Sequence, residues 1–406
     1  MTLEFEKLTD KIDEMARSAA ARQERHSDLI ETLLATLNKY AADWPTIDKA
    51  LATAKAKSDP KHYRSARPLP TTNPLNAHIT PDAPPAQATL LATDGSQIMP
   101  DRHAAHLYYL INIGGIVYHH GDNSRSPLQF TKPDLKYPQL NQNDSSFASS
   151  SGEVSVERDL QEIGTLADLA WEYRQATPPV LAMLDQRLLY WPIGGSDAEP
   201  NEDVKNWLKS MTKISDSHVW LAGYIDRPMT NAVVTLLRSI AGLENPAFDW
   251  KSLGKREAPG GQISDGMLFS YLLQPGERSK VFVNESPPNT QFRQYHESHE
   301  VCFFYLNPGL AGRRVARIDI PMWVAQDETA ITAVHALIMY QCRILGDYPY
   351  ILARADEMAV VGHRDHEALN MMIDRYMEKH DVSGSLTGKQ GSKNLARGGK
   401  TRHEGL

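Results

Sequence analysis

Apolar residues recur every three or four positions through the first 57 residues, among charged ones. This spacing is typical of an amphipathic helix, because it places the apolar side chains on one face. The series consists of Ile12, Met15, Ile30, Leu33, Leu34 and Leu37. We therefore predict a helical N-terminal extension over residues 1–58, as a surface element or as a dimerising helix pair. Residues 59–87 are expected to be a Pro-rich linker or arm, since prolines at this density exclude a helix and a central strand.

Short apolar runs alternate with helical patterns from Thr89 onward. TLLATD, PVLAMLD and VWLAGYID predict strands, and HLYYLINIGGIVYHH predicts a hairpin that turns at Gly114 and Gly115. Residues 121–152 are polar and predict a long loop. The predicted order is strand, strand, strand, helix, strand, helix, strand, helix. This order is typical of the ribonuclease H-like fold, an α/β sheet with an antiparallel half and a parallel half.

The C-terminal part of the chain carries a looser pattern. SDGMLFSYLL predicts a helix, CFFYLN and RRVARIDIP predict strands, and TAITAVHALIMYQCRIL and EALNMMIDRYMEKH predict two more helices. Residues 381–406 are Gly/Ser-rich and basic, so we expect a disordered tail. One domain is predicted over residues 88–380, between the linker and this tail.

Composition restricts the class of protein. The chain has 406 residues, 41% of them hydrophobic, and no apolar stretch long enough to span a membrane, so we expect no membrane association. Two cysteines indicate a reducing compartment, and the charged N-terminus is unlike a secretory signal; the expected location is cytoplasmic. The net charge of −7 does not favour a nucleic-acid binder, so a DNA-acting enzyme would need local basic surface or a basic partner.

Asp94 is the first candidate for chemistry. It ends an apolar strand and precedes Gly95, a turn signal. A carboxylate in that place faces the open edge of an α/β sheet, where sites are usually found. The structural alternative is an Asp that only caps a turn.

Asp185 and Glu162 are the next candidates. Asp185 follows six largely apolar residues, and two parallel strands that each end in Asp bring both carboxylates to one edge. Glu162 lies four residues after Arg158 on a predicted helix. It either forms a surface ion pair with Arg158 or extends over the sheet edge as a third oxygen ligand. An Asp/Glu/Asp set suits Mn²⁺ or Mg²⁺.

Several segments, taken in order, resemble the motifs of the NurA family of nucleases. They are ATDGSQ, VERDLQE, LAMLDQRLLYW, LAGYIDRP, RIDIP, VHALIMYQ and YPYILARADE, within residues 88–380. The resemblance implies a ribonuclease H-like core, a mixed sheet flanked by helices, with family-specific insertions. It implies manganese-dependent cleavage of single-stranded DNA and 5′-to-3′ degradation of DNA ends. The implied partners are DNA, a hexameric HerA-type ATPase translocase and a second copy of the chain.

The resemblance also implies the site residues. Asp94 is then the principal metal ligand, and Glu162 and Asp185 are further acidic members. Many family members have a histidine after the alanine of the final motif, where this chain has Asp356. An Asp can still bind a metal or a metal-bound water, but it does not replace a neutral imidazole.

Two residues of GYIDRP are expected to contact a DNA strand. They are Tyr224 and Arg227, with a core tyrosine and a surface arginine as the structural alternatives. GSLTGKQ lacks the spacing of a phosphate-binding loop, so a motor for duplex DNA would come from a separate protein.

Three hypotheses about function follow. The first is a metal-dependent DNA nuclease that acts with a translocase, in DNA end resection and repair or in anti-phage defence. The second is a catalytically weak structural partner that guides DNA on the motor. The third is an unrelated α/β hydrolase acting on small phosphoesters.

Overall fold

The computed structural model describes residues 4–71, 73–101, 106–138, 150–191, 201–255, 261–309 and 314–382. Within these ranges, eleven strands form one mixed sheet with helices packed against it. The strands are β1 (Ser65–Pro68), β2 (His78–Ile79), β3 (Ala88–Ile98), β4 (Tyr109–His120), β5 (Leu128–Lys136), β6 (Val180–Leu184), β7 (Trp220–Ile225), β8 (Arg278–Ser279), β9 (Phe282–Glu285), β10 (Val301–Leu306) and β11 (Ala316–Pro321). The helices are α1 (Thr9–Lys39), α2 (Trp44–Lys57), α3 (Ser151–Glu172), α4 (Glu202–Asp216), α5 (Ala232–Leu243), α6 (Asp265–Leu272), α7 (Pro287–Tyr295), α8 (Met322–Ala325), α9 (Glu328–Leu345), α10 (Tyr350–Ala359) and α11 (His363–Lys379).

The main path through the sheet runs in the order β1-β9-β10-β11-β7-β6-β3-β4-β5. Strands β3, β6 and β7 are parallel neighbours at its centre. The pairs β3 with β4, β4 with β5, and β7 with β11 are antiparallel. The predicted mixed α/β architecture, with helices around a mixed sheet and a helical N-terminal region, is therefore confirmed.

Alternating side chains of the central strands pack against helices on the two faces of the sheet. Leu91 of β3 lies in one apolar cluster with Leu166 of α3 and Trp207 of α4. Leu90, the next residue along the strand, lies in another cluster with Leu337 of α9. Successive side chains of a strand point to opposite faces, so β3 anchors both helical layers. The core therefore holds α3 rigidly against the centre of the sheet.

The N-terminal helices pack on α5 and α6. Ile30 and Leu37 of α1 and Ile47 of α2 share a buried cluster with Leu237 of α5. The residues of α1 that precede this contact are exposed, from its start through position 25. The predicted helical N-terminal region is confirmed, and the segment predicted as a linker contributes two short strands, β1 and β2, to the sheet. Of the tail predicted over 381–406, residues 383–406 lie outside the described residues.

The hairpin predicted at Gly114 and Gly115 is wrong, because β4 is one continuous strand paired with β3 along its length. These glycines do not form a turn. They allow neighbouring elements to pack closely against β4. A Cβ atom at Gly114 would lie 2.2 Å from the backbone nitrogen of Ala359, and one at Gly115 would lie 2.2 Å from the ring of Phe130. The long loop predicted over 121–152 is also wrong in part, since β5 lies within it.

No helix in the described part of the chain is long and apolar enough to cross a membrane.

Candidate active site

Asp94 lies at the centre of the sheet, where the neighbouring strand β6 ends. The last parallel pair between the two strands joins Thr93 to Leu184, so Asp94 and Asp185 follow at the same edge. The turn predicted at Gly95 is wrong, because β3 continues to Ile98 in register with β4. Asp94 is therefore half-buried on a rigid strand, a more fixed position than a loop would give it.

Gly95 gives α3 room to approach the strand. A Cβ atom at this position would lie 2.7 Å from Cγ of Arg158. The guanidinium of Arg158 is hydrogen-bonded to Asp159, with 2.6 Å between Nη2 and Oδ1. The surface ion pair considered for Arg158 and Glu162 is therefore not formed, since Arg158 pairs with its sequence neighbour.

Glu162 is buried beneath Asp94. Its side chain is on α3, which is tied to the sheet by the Thr93 hydroxyl donating to the Glu162 carbonyl oxygen at 3.1 Å. The residue is only 3% exposed, and Nε2 of Gln186 donates to its Oε1 at 2.9 Å. Burial raises the pKa of Glu162 well above its ordinary value, and the negative charge of Asp94 raises it further. A positive charge nearby would relieve both effects.

Asp185 is held by a tyrosine hydroxyl. The side chain of Tyr348 forms a hydrogen bond with the Asp185 carboxyl, which favours the charged form. The pKa of Asp185 is nevertheless raised to about 6. The main cause is burial by protein atoms, and repulsion from Asp226 and Asp356 is a smaller cause. The residue as a whole is exposed, although its carboxyl is crowded by protein atoms.

Asp356 reaches the same edge from the C-terminal part of the chain. It lies on α10, whose final turn rests directly on β3 and β4. Nδ2 of Asn112 donates to the Ala359 carbonyl oxygen at 2.8 Å, and Oγ of Ser96 donates to that oxygen at 2.5 Å. Gly114 permits this contact, since any side chain there would meet the helix backbone. The structure thus brings Asp356 close to Asp94 and Asp185.

The carboxyl groups of Asp94 and Asp356 are in hydrogen-bonding contact. Burial is the main reason that the pKa of Asp94 rises to about 6; the contact with Asp356 and the charge of Asp185 raise it further, while the Gly95 amide opposes the rise. A negative charge close to a carboxyl group favours the protonated form of that group. The structure therefore brings Asp94, Asp185, Glu162 and Asp356 into one electrostatically coupled group.

The fit of this group to a metal ion is partial. Its chemistry is suitable, because carboxylate oxygens are the ligands that hard divalent cations prefer. Its geometry is incomplete: among the described residues, no three His, Cys, Asp or Glu side chains are arranged so that they could hold a metal ion. The contact between Asp94 and Asp356 supplies two carboxyl groups. The carboxyl groups of Glu162 and Asp185 would have to move closer to these two to share one metal ion.

The two residues expected to contact DNA lie in different environments. Tyr224 is fully buried, with its ring edge-on to Tyr348 at a centroid distance of 5.3 Å. It offers no surface to a DNA strand, so the structure places it in the core. Arg227 is exposed just after β7, with a positive φ of 49° and its guanidinium 3.8 Å from Asp226. A left-handed backbone at a residue other than glycine is uncommon, and such residues cluster at functional sites.

Sequence reasoning missed two residues beside these acids. Tyr348 donates to Asp185, and Asp226 adds negative charge close to it. Asp226 follows a strand parallel to β6, so the rule that selected Asp185 would have found it. Tyr348 precedes α10 and gives no such signal, because its role depends on how the last helices pack.

The fold and the site together define a class of protein. It is a mixed α/β protein with a cluster of carboxyl groups at the edge of its sheet. The family model described as the NurA domain matches residues 88–361. The chain therefore belongs to the NurA family, and this membership supports a nuclease.

One solved structure that the chain resembles is the crystal structure of the NurA nuclease from Sulfolobus solfataricus. The two share 14% sequence identity with a TM-score of 0.47, over 84% of this chain and 97% of the other. No curated protein matches the chain.

Proposed function

We propose that this chain is a Mn²⁺- or Mg²⁺-dependent deoxyribonuclease, with Asp94, Glu162, Asp185 and Asp356 as its catalytic metal ligands. The observation that carries the proposal is the contact between Asp94 and Asp356, beside Asp185. Clustered ionisable groups with raised pKa values are a common feature of functional sites. Membership of the NurA family supports the same conclusion.

The protein residues have separate parts in this proposal. Asp94 and Asp356 would hold the cation first, because their carboxyl groups already meet. Gln186 orients Glu162, and Tyr348 orients Asp185. Exposed Arg227 is the candidate contact for a DNA phosphate. A divalent cation in such a site supplies activation of a water molecule and neutralisation of the charge that develops on the phosphate.

We propose that the core is ribonuclease H-like. Support comes from the order β5-β4-β3-β6-β7, with an antiparallel half, a parallel half and a helix before each of the last two strands. The proposed divisions are a helical extension (1–58), a linker or arm (59–87), the nuclease domain (88–380) and a tail (381–406).

The proposed substrate is DNA, cut within single strands and degraded from ends in the 5′-to-3′ direction. We propose a HerA-type hexameric ATPase as the partner that moves duplex DNA, and a homodimer in the cytoplasm as the working form. End resection in repair and anti-phage defence are both processes that consume DNA ends in this way. Family membership supports this partnership.

The test is digestion of single-stranded and end-labelled duplex DNA with Mn²⁺. Asp94→Asn is expected to lose more than the ~10–100-fold typical of groups that only support ligands. Asp168→Asn is the matched control. Asp168 is on α3 like Glu162, but it pairs with Lys213 at 2.7 Å and is exposed. Equal cleavage by wild type and Asp94→Asn would overturn the proposal. Circular dichroism checks that both proteins are folded.

A second candidate function is a catalytically weak partner that guides DNA on the translocase. It is favoured by the incomplete metal geometry among the described residues and by Asp356 at the position where many family members have histidine. Asp356→His separates the two candidates. Higher manganese-dependent cleavage in this variant than in wild type favours the weak partner, whereas lower cleavage favours an active site adapted to the acid.

A further inference from the structure

The N-terminal part of α1 is exposed in the described part of the chain, and it approaches α6 at a groove that Ala19 and Arg22 help to line. A short 3-10 helix, Phe5–Leu8, leads into α1, and each residue from 4 through 25 is exposed. The first buried residue is Ile30. Isolated helices gain too little from backbone hydrogen bonding to be stable in water, and most helices in proteins are stabilised by burying an apolar face. Residues 4–25, the N-terminal arm, therefore lack the buried apolar face that such a helix needs.

The arm carries an apolar stripe with coiled-coil spacing. Phe5, Leu8, Ile12 and Met15 are separated by three, four and three positions, and Ala19 continues the series. Their exposed fractions are 69%, 38%, 52% and 63% for the first four. Alternating steps of three and four place side chains at the a and d positions that pair two helices. The stripe fits a second helix of the same kind.

Charge divides the arm into two halves. Residues 4–14 contain five acids and two lysines, a net charge of −3. Residues 15–25 contain three arginines and one glutamate, a net charge of +2. Two arms side by side in antiparallel order place the acidic half of each against the basic half of the other. Parallel order would place like charges together.

We propose that the N-terminal arms of two copies of this chain pair as an antiparallel coiled coil. This deepens the homodimer proposed above by assigning its interface. The pairing that matches stripe to stripe places Ile12 against the partner's Met15, and Leu8 against the partner's Ala19. A two-fold axis then crosses the arm between Ile12 and Met15, and each contact occurs twice.

A groove at the base of the arm receives the partner's end in this arrangement. It has a volume of about 480 Å³, and its lining includes Arg22 and His26 of α1 and Met267 and Tyr271 of α6. The same register brings the partner's Phe5 over Arg22, where an aromatic ring and a guanidinium attract each other. Tyr271 is 44% exposed in the single chain and would be covered there. The groove therefore extends the contact between the two copies beyond the coiled coil that the stripes form.

The first experiment measures the mass of the full-length protein by sedimentation velocity over a concentration series. Wild type is expected to be a dimer. Ile12→Glu with Met15→Glu is expected to raise the dissociation constant at least ~10-fold, since charged side chains are not tolerated unpaired in an a/d seam. Ala20→Glu with Ala21→Glu is the matched control, because it adds the same charge on the opposite side of the arm. All four positions are exposed in the single chain, so the fold is expected to be unchanged.

The second experiment tests direction by cross-linking. Both native cysteines, Cys302 and Cys342, are buried, so introduced thiols react selectively. A mixture of Leu8→Cys protein and Ala19→Cys protein is expected to form a mixed disulfide on mild oxidation, and Leu8→Cys alone is not.

Three results would overturn the proposal: a monomeric wild type, a dimer that survives the glutamates, or a Leu8→Cys homodisulfide. The third result would indicate parallel arms. Asp94→Asn is expected to remain dimeric, so failure of the arm proposal and failure of the nuclease proposal are separate outcomes.

Discussion

Asp265 is a fully buried carboxyl that joins three donors at the start of α5. The amides of Val233 and Val234 donate to it at 3.1 and 2.8 Å, and the Tyr305 hydroxyl donates at 2.7 Å. Burial raises its pKa to about 6, against these hydrogen bonds and the charge of Arg317. The folded protein therefore holds a proton on this group more tightly than the unfolded chain does.

This shift gives a pH dependence of stability. A carboxyl with a raised pKa stabilises the fold below its unfolded pKa, and that contribution is lost as pH rises through the folded pKa. The free energy of unfolding of wild type, minus that of Asp265→Asn, is expected to fall by up to ~3 kcal/mol between about pH 4 and pH 7. Urea denaturation at a series of pH values measures it. A difference that grows with pH would show that the amides bind the carboxylate more strongly than burial penalises it.

Tyr348 gives a test of orientation at the acidic site. Tyr348→Phe removes the hydroxyl that holds Asp185 and keeps the ring against Tyr224. We expect a ~10–100-fold loss of manganese-dependent cleavage with little change in melting temperature, as for other groups that orient a ligand.

The control for this substitution is Tyr350→Phe. Tyr350 lies two residues away and packs edge-on to Tyr118 at 6.0 Å. Its hydroxyl has no part in the proposed chemistry, so cleavage is expected to stay near the wild-type rate. Equal activity in all three proteins would remove Tyr348 from the site.

Among the elements, α10 depends on one glycine of β4. Gly114→Ala would place a Cβ atom 2.2 Å from the Ala359 nitrogen, and a helix backbone cannot give way as a flexible side chain does. We expect about 1–3 kcal/mol of destabilisation from the overpacking. Because α10 carries Asp356, a shift of about 1 Å is also expected to reduce cleavage ~100-fold. Wild-type cleavage in a folded Gly114→Ala protein would refute this dependence.

Gly164 is the matched glycine for comparison. It lies within α3, and a Cβ atom there would have nothing within 4 Å among the described neighbours. Gly164→Ala is expected to stabilise the protein by ~0.5–1 kcal/mol, since alanine favours a helix over glycine. Chemical denaturation of both variants measures the change in the free energy of unfolding, which is expected to be negative for Gly114→Ala and positive for Gly164→Ala.

The element scale also shows where sequence patterns mislead. Asp94 and Asp185 could be predicted, because an apolar run that ends in an acid identifies a strand and its edge. Gly114 and Gly115 could not be assigned correctly, since a glycine pair serves a turn or a close approach equally well by sequence. For Gly114 the choice depends on α10, which is more than 200 residues away in the chain, and for Gly115 it depends on the Phe130 ring of β5.

For the whole molecule, the acidic group joins four separate elements: β3, the end of β6, α3 and α10. Its members could be predicted individually, and Asp356 only through a family resemblance. Their distances could not, because they depend on the packing of both helical layers on the sheet. Tyr224 shows the limit most clearly: of the two residues expected to contact DNA, Tyr224 is fully buried, whereas Arg227 is exposed.

Metal addition tests this group as a unit. Mn²⁺ is expected to raise the melting temperature of wild type by several degrees, since a ligand at ~100 times its dissociation constant adds about 2.7 kcal/mol to stability. The rise is expected to be smaller in Asp94→Asn and unchanged in Asp168→Asn. Differential scanning calorimetry with and without a chelator measures it. Equal rises in all three proteins would place the metal elsewhere.

The distance along the chain between Asp94 and Asp356 has a consequence for biosynthesis. The early acids leave the ribosome long before the last helices do, but domains generally fold as units. The four-acid group stays incomplete until α10 has emerged and settled against β4. A nascent or truncated polypeptide that stops before this helix therefore lacks the full set of carboxyl groups.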